Sequence, residues 1–248
     1  MCRDGELPVA DYVEMVLRGV AAETDQTAVS RVLAQARTAT TLFITRDVRA
    51  PYADRLTAGL AELVRDAEPG SDHQLAFARA LATSLRTPAG AELLQSWLAG
   101  LEVPDGLVID TDLRWHFVTQ LARLGAIDES GIDTELERDN TITGAEWAAG
   151  ARAALPTAEA KVRAWQLAAG DPTVPNETHR QICVHFANPG QEELLMRYAP
   201  RYFDLAEQIS AQRGPWATRG VHLAQTALRY LFPAVVADDD FIALLDDW

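Results

Sequence analysis

The sequence has 248 residues, 48% of them hydrophobic and 23% charged, with 36 acidic against 22 basic side chains for a net charge of −14. That length and balance fit a globular protein with a sizeable core. A field of that sign repels phosphates, which argues against nucleic acid and anionic membrane surfaces as partners and serves solubility instead. The two cysteines, Cys2 and Cys183, are too few for a disulfide framework, so a reduced, cytoplasmic setting is expected. Asp4, Glu6, Asp11, Glu14 and Glu23 interrupt the start of the chain and leave no signal-peptide core. No apolar run approaches the ~20 residues that span a bilayer.

In chain order, the periodicity predicts one helix after another. Ala10 to Ala22 carries Tyr12, Val13, Val16, Leu17 and Val20 at helical spacing. Thr24 or Asp25 caps a second helix with Val29, Val32, Leu33 and Ala36. Pro51 fits the first turn of a third, whose face is Leu56, Leu60, Leu63 and Val64. Pro69-Gly70 breaks the chain, and Ser71 to Gln74 reads as a capping box, with Gln74 reaching back to Ser71. Thr87-Pro88 opens the helix of Leu93, Leu94, Trp97 and Leu98. Val103 to Gly106 is a loop, and Asp112 to Leu124 a helix stopped by Gly125. Asp128 opens a short helix, Thr143 to Ala154 forms another, and Thr157 caps the next, which closes at Gly170-Asp171-Pro172. Pro175-Asn176 starts a helix through Ile182 and Phe186. Longer helices are expected at 191–210 and 216–231, and Asp238-Asp239-Asp240 is expected to cap a last one ending at Trp248.

No segment reads as a strand, and no low-complexity linker divides the chain. The expectation is one all-α domain over residues 1–248, a HEAT-like or armadillo-like array of antiparallel helix pairs forming a concave bowl. No strict sequence period accompanies it.

The chemistry-bearing residues are sparse. The five histidines, His73, His116, His179, His185 and His222, include no H-E-x-x-H pair, the arrangement that would set two imidazoles and a general base on one helix face. His179 and Cys183 are four apart on one helix, but a reactive thiol needs an accessible, electropositive setting, and an inert buried cysteine is the expectation. There is no C-x-x-C, G-x-S-x-G or phosphate-binding glycine loop. Asp238-Asp239-Asp240 lacks the glycine turn and closing glutamate of a calcium loop. The six tryptophans are expected as core plugs. No catalytic or metal-binding residue is assigned, and no cofactor is expected in this chain.

Some stretches go beyond generic helix. They are Arg3-Asp4-Gly5-Glu6-Leu7, Gly70-Ser71-Asp72-His73-Gln74-Leu75, and Gly106-Leu107-Val108-Ile109-Asp110-Thr111-Asp112-Leu113-Arg114-Trp115 with Leu121 to Gly125 behind it. Asp133 to Thr141 with Gly144, Ala151 to Lys161 with Trp165, then Tyr198 and Tyr202-Phe203 follow. In this order and spacing the chain resembles the C-terminal helical domain of M1-family zinc aminopeptidases, of the actinobacterial aminopeptidase N type, similar to the last domain of the endoplasmic-reticulum aminopeptidases.

The resemblance implies a helical bowl that closes over a catalytic domain and encloses the peptide body. It also implies zinc, an H-E-x-x-H helix and a G-A-M-E-N-type loop in that other domain; none of these motifs occurs here. The chain is therefore expected to be a fragment of a larger aminopeptidase, its partners the catalytic domain and the peptide substrate. Arg114 and Trp115 are the candidate peptide or domain contacts, because a guanidinium grips carboxylates in a bidentate way. The competing reading is that Arg114 pairs with Asp110 or Asp112 and holds the fold. A free-standing helical-repeat module that binds peptides or a partner protein is the alternative function.

Overall fold

A computed structural model describes residue 2, residues 4–237 and residues 239–248. Among them every regular element is a helix. Met1 and Arg3 of the N-terminal stretch, and Asp238 of the expected last cap, lie outside the described residues. The chain divides into two compact units, Met1–Phe117 and Val118–Trp248. The division falls within a helix, where the sequence offers no linker.

In the first unit, α1 (Val9–Gly19) buries Val13 and Val16 and tightens into a short 3₁₀ turn. Asp25 is the cap of α2 (Gln26–Leu42): its carboxylate accepts from the backbone N–H of Thr27 and Ala28, which would otherwise be orphaned. Pro51 falls in the first turn of α3 (Arg49–Asp66), as its missing N–H allows. Ser71 caps α4 (Asp72–Ser84) and Thr87 caps α5 (Pro88–Leu98), each by a side-chain oxygen on an N–H three residues on. α1, α2 and α3 pack together, and α4 packs on α2 and α3. Leu56 and Leu60 of α3, Phe77 and Leu81 of α4, and Leu94 and Trp97 of α5 are buried, with Trp97 tilted against Phe117 at 5.7 Å.

The capping box at Ser71 differs from the expected form. Gln74 Oε1 accepts from Gly70 N–H at 2.9 Å, one residue further out than Ser71, and its Nε2 donates to the Asp105 carbonyl at 2.9 Å. One buried amide thus ties the 69–70 turn to the 104–106 turn. Gly106 lies there at φ 80°, and a Cβ on it would come within 2.4 Å of Gly70 N.

α6 (Thr111–Leu124) ends in a Schellman arrangement. Gly125, at φ 71°, donates to Ala122 O at 3.0 Å, and Ala126 donates to Leu121 O at 2.9 Å.

The second unit continues with α7 (Glu129–Arg138), capped by Asp128, and α8 (Ile142–Ala154). The cap of α8 is Thr141, two residues ahead of the expected start at Thr143, since its hydroxyl accepts from Gly144 N–H at 2.9 Å. Thr157 caps α9 (Ala158–Trp165), which widens into a π turn over Gln166–Gly170. α10 (Asn176–Phe186) lies along α8, where Ala148, Gly150, Ala151 and Ala154 keep the seam narrow.

The two long helices expected next are broken. In place of one helix over 191–210 there are α11 (Glu192–Leu195), a 3₁₀ turn and α12 (Ala199–Ser210), because Pro200 has no N–H to continue the ladder. In place of one over 216–231, a 3₁₀ turn at Gly214–Ala217 precedes α13 (Val221–Tyr230), with Gly220 at the break. α14 (Asp239–Asp247) is last. Ile182, Phe186, Leu195, Tyr198, Leu205 and Trp216 form the core. Trp165, Phe186 and Tyr198 meet ring to ring at 5.0–5.7 Å.

Candidate functional site

The segment that leads into α6 positions Arg114 and Trp115. Asp110 Oδ1 accepts from Leu113 N–H at 2.8 Å and so acts as the helix cap, while Asp112 forms an ion pair with Arg79 of α4. Arg114 is partly buried, and its Nη1 donates to the Leu98 carbonyl at 3.1 Å, on the electronegative end of α5. Trp115 is 1% exposed and belongs to the core.

In the second unit, the loops before α7 and α9 border an open groove of about 930 Å³. Asp128, Glu129 and Glu159 line it, with Arg163 as a lining cation, already paired with Glu129. The Ser130 hydroxyl first, then Gly131 N–H, hold the Asp128 carboxyl below its usual range. The face is net acidic, as is the whole chain.

The histidines have local partners in both units. His73 bridges Gln26 and the Glu23 carbonyl, and His116 bonds Thr83 and the Arg79 carbonyl. His179 is fully buried, with Nε2 3.0 Å from the Ala168 carbonyl on the π turn; since a carbonyl only accepts, Nε2 carries the proton. Arg219 donates to the same oxygen at 2.6 Å and stacks over Trp216.

Cys183 Sγ lies 3.5 Å from His179 Nε2, so the i, i+4 pair is real as geometry. Its chemistry is that of an inert pair. Burial pushes the thiol up to about 12, while burial and then Arg219 pull His179 down to about 4. A thiolate–imidazolium pair needs the reverse of both shifts. Among the described residues no three His, Cys, Asp or Glu side chains stand close enough together to hold a metal ion.

Two buried polar side chains carry a role that sequence reading missed. Lys161, with no exposure, donates from Nζ to the carbonyls of Ala153 at 2.6 Å and Phe186 at 2.7 Å, at the C-terminal ends of α8 and α10. Gln191 Nε2 donates to Arg123 O at 3.0 Å and Ala154 O at 2.8 Å, at the ends of α6 and α8. Between them they satisfy otherwise orphaned carbonyls of three helices. A faint sign of this is present in sequence: Lys161 is the charged residue on the face of α9 that also carries Ala160 and Ala164.

The model of the ERAP1-like C-terminal domain matches residues 1–248. Aminopeptidase N of Streptomyces lividans is 38% identical over all 248 residues, which amount to 28% of that protein's length. The chain is a member of the ERAP1-like C-terminal domain family, with an aminopeptidase N among its relatives.

Proposed function

We propose that this chain is the non-catalytic C-terminal domain of an M1-type zinc metallo-aminopeptidase, a cytoplasmic hydrolase that removes N-terminal residues from peptides. The observation that carries the reading is the match of the whole chain to a C-terminal domain family, together with its 38% identity to a stretch that makes up 28% of an aminopeptidase N. The remaining length of such an enzyme is the place for zinc and the catalytic groups. In this reading the two helical units act as one domain, a HEAT-like bowl that shapes the substrate cavity and binds the body of the peptide. Remote binding of this kind positions the scissile bond and raises turnover without a reacting group. Arg114, part-buried beside the core residue Trp115 in sequence, is the residue we assign to a carboxylate of the peptide or of the catalytic domain.

The test is aminopeptidase activity on an N-terminal alanine or leucine reporter peptide with zinc present. The chain is assayed alone, then mixed with a separately expressed upstream domain. Silence alone and a gain over the upstream domain on mixing is the expected result, with the gain reduced through KM in Arg114→Ala. Chelator-sensitive activity of the chain alone overturns the reading. No gain on mixing moves the weight to a free-standing binding module.

A further inference from the structure

Ser30, Leu33, Ala34 and Arg37 recur at helical spacing on one face of α2, and Ala76, Arg79, Ala80 and Thr83 do so on α4. The two helices pack together, and the small side chains along these faces leave a pocket of about 280 Å³. Arg37 lines it from α2 and Arg79 from α4; none of the lining side chains is acidic. Arg86, just beyond the end of α4, donates to Thr41 Oγ1 at 3.0 Å and lies close enough to Arg37 to repel it. Three guanidinium groups therefore gather at one place on a protein that carries a large acidic excess.

The three are not equivalent. Arg79 already has Asp112, and Arg86 has Thr41. Arg37 uses its carbonyl to accept from the Thr40 and Thr41 hydroxyls at 3.0 Å and 2.7 Å, but among the described residues no acceptor meets its guanidinium. Burial first, and Arg86 second, lower its pKa, so the cation sits partly desolvated with a like charge beside it. The side chain is part-buried, so the charge keeps some contact with water and bears only part of the cost of desolvation. Arg37 and Arg79 line the pocket with no acidic side chain beside them there, and Arg86 lies near enough to add to the positive field, an arrangement suited to an anion from outside. The guanidinium fork suits an oxyanion, and a pocket this small takes a group of few heavy atoms.

We propose that the α2–α4 pocket is an oxyanion-binding site, in which Arg37 and Arg79, with Arg86 alongside, receive a phosphate or a carboxylate. The site belongs to this chain alone and does not rest on the aminopeptidase reading.

The experiment titrates the full 248-residue chain with inorganic phosphate, and separately with acetate, by calorimetry at ionic strength fixed with sodium chloride. The same titrations are run on Arg37→Gln and on Arg18→Gln, an exposed arginine paired with Glu14 elsewhere on the first unit. Saturable binding of one anion by the parent chain, at least about tenfold weaker in Arg37→Gln and unchanged in Arg18→Gln, is expected from the strength of charge-assisted hydrogen bonds. The anion preferred identifies the source as a phosphate group or a carboxylate. Binding of neither anion beyond chloride, or equal binding by Arg37→Gln, overturns the proposal. If Arg37→Gln does not fold, the Arg37 Nε resonance of the ¹⁵N-labelled parent chain decides: movement and saturation with the anion support the site, and a fixed resonance overturns it.

Discussion

Lys161 Nζ donates to the carbonyl oxygen of Phe186 at 2.7 Å from a side chain with no solvent exposure. The same ammonium reaches Ala153 and lies 5.4 Å from the centre of the Phe186 ring. Two helix C-termini and an aromatic face, each electronegative, surround it. They offset part of its desolvation, and burial still draws its pKa down to about 7.

That value sets a pH dependence. With the folded pKa below the unfolded one, the unfolded chain holds more protons between pH 7 and the ordinary lysine range, so stability rises as pH rises through that window. From pH 7 to 8.5 the gain from this one group is about 1.5 kcal/mol. Urea unfolding of the parent chain and of Lys161→Met at both pH values checks it. The variant is expected to lose the rise, and an equal rise in both would mean that Lys161 is not its source.

How much of this could be read beforehand follows from the range of each interaction. The caps at Asp25, Ser71, Thr87, Asp128 and Thr157 bind N–H groups two or three residues away, so local sequence contains both partners. The broken helices after Gln191 and Trp216 were within reach too, since Pro200 and Gly220 stand in the sequence, but apolar periodicity ran across both and masked them. Lys161 with Phe186 and Gln191 with Arg123 join residues 25 and 68 positions apart. Periodicity carries no information at that distance. Of the two contact candidates, Arg114 is partly buried and Trp115 is core, a distinction that burial makes and residue type does not.

Gln191 holds two helix ends with one amide, so Gln191→Leu leaves the Arg123 and Ala154 carbonyls without that donor at nearly constant volume. Each buried carbonyl so exposed costs on the order of 1–3 kcal/mol. A loss of about 2–4 kcal/mol in unfolding free energy is expected. Gln191→Glu is expected to do worse than Leu at neutral pH, since a carboxylate cannot donate to either oxygen. Melting temperatures of the three proteins rank them, and a leucine variant as stable as the parent would show that water replaces the amide.

The paired turns at 69–70 and 104–106 predict intolerance at Gly106. A Cβ there would lie 2.4 Å from Gly70 N and 2.5 Å from Pro69 C, both backbone atoms that cannot rotate away, at a φ that L residues avoid. Gly106→Ala is expected to cost about 2–4 kcal/mol by denaturant unfolding. A loss under about 0.5 kcal/mol would place it among ordinary surface substitutions and show that the two turns part without cost.

Cys183 is expected to be silent toward thiol reagents in the folded chain. It is fully buried, and burial pushes its thiol up to about 12, whereas Cys2 is only partly buried. Ellman's reagent should therefore titrate the Cys2 thiol in native buffer and both thiols in urea. Rapid reaction of Cys183 in the native chain would mean that the helix opens, or that His179 activates the thiol against the direction of both shifts.

His179 gives the acid-side counterpart of Lys161. Its folded pKa of about 4 lies below the ordinary histidine value, so the unfolded chain takes up the proton first as pH falls. The stability present above the ordinary value is lost between pH 6.5 and 4, about 2 kcal/mol of it by pH 4.5. Protonation in the fold would set a second positive charge on the Ala168 carbonyl that Arg219 already shares. His179→Asn removes the titration whether or not the shorter amide still reaches that carbonyl. The quantity to compare is the change in unfolding free energy between pH 6.5 and 4.5, which also contains the carboxylates common to both proteins. The parent chain is expected to lose about 2 kcal/mol more than His179→Asn over that interval. Equal losses would mean that His179 is as easily protonated in the fold as out of it, and that the buried hydrogen bond to Ala168 does not fix its neutral form.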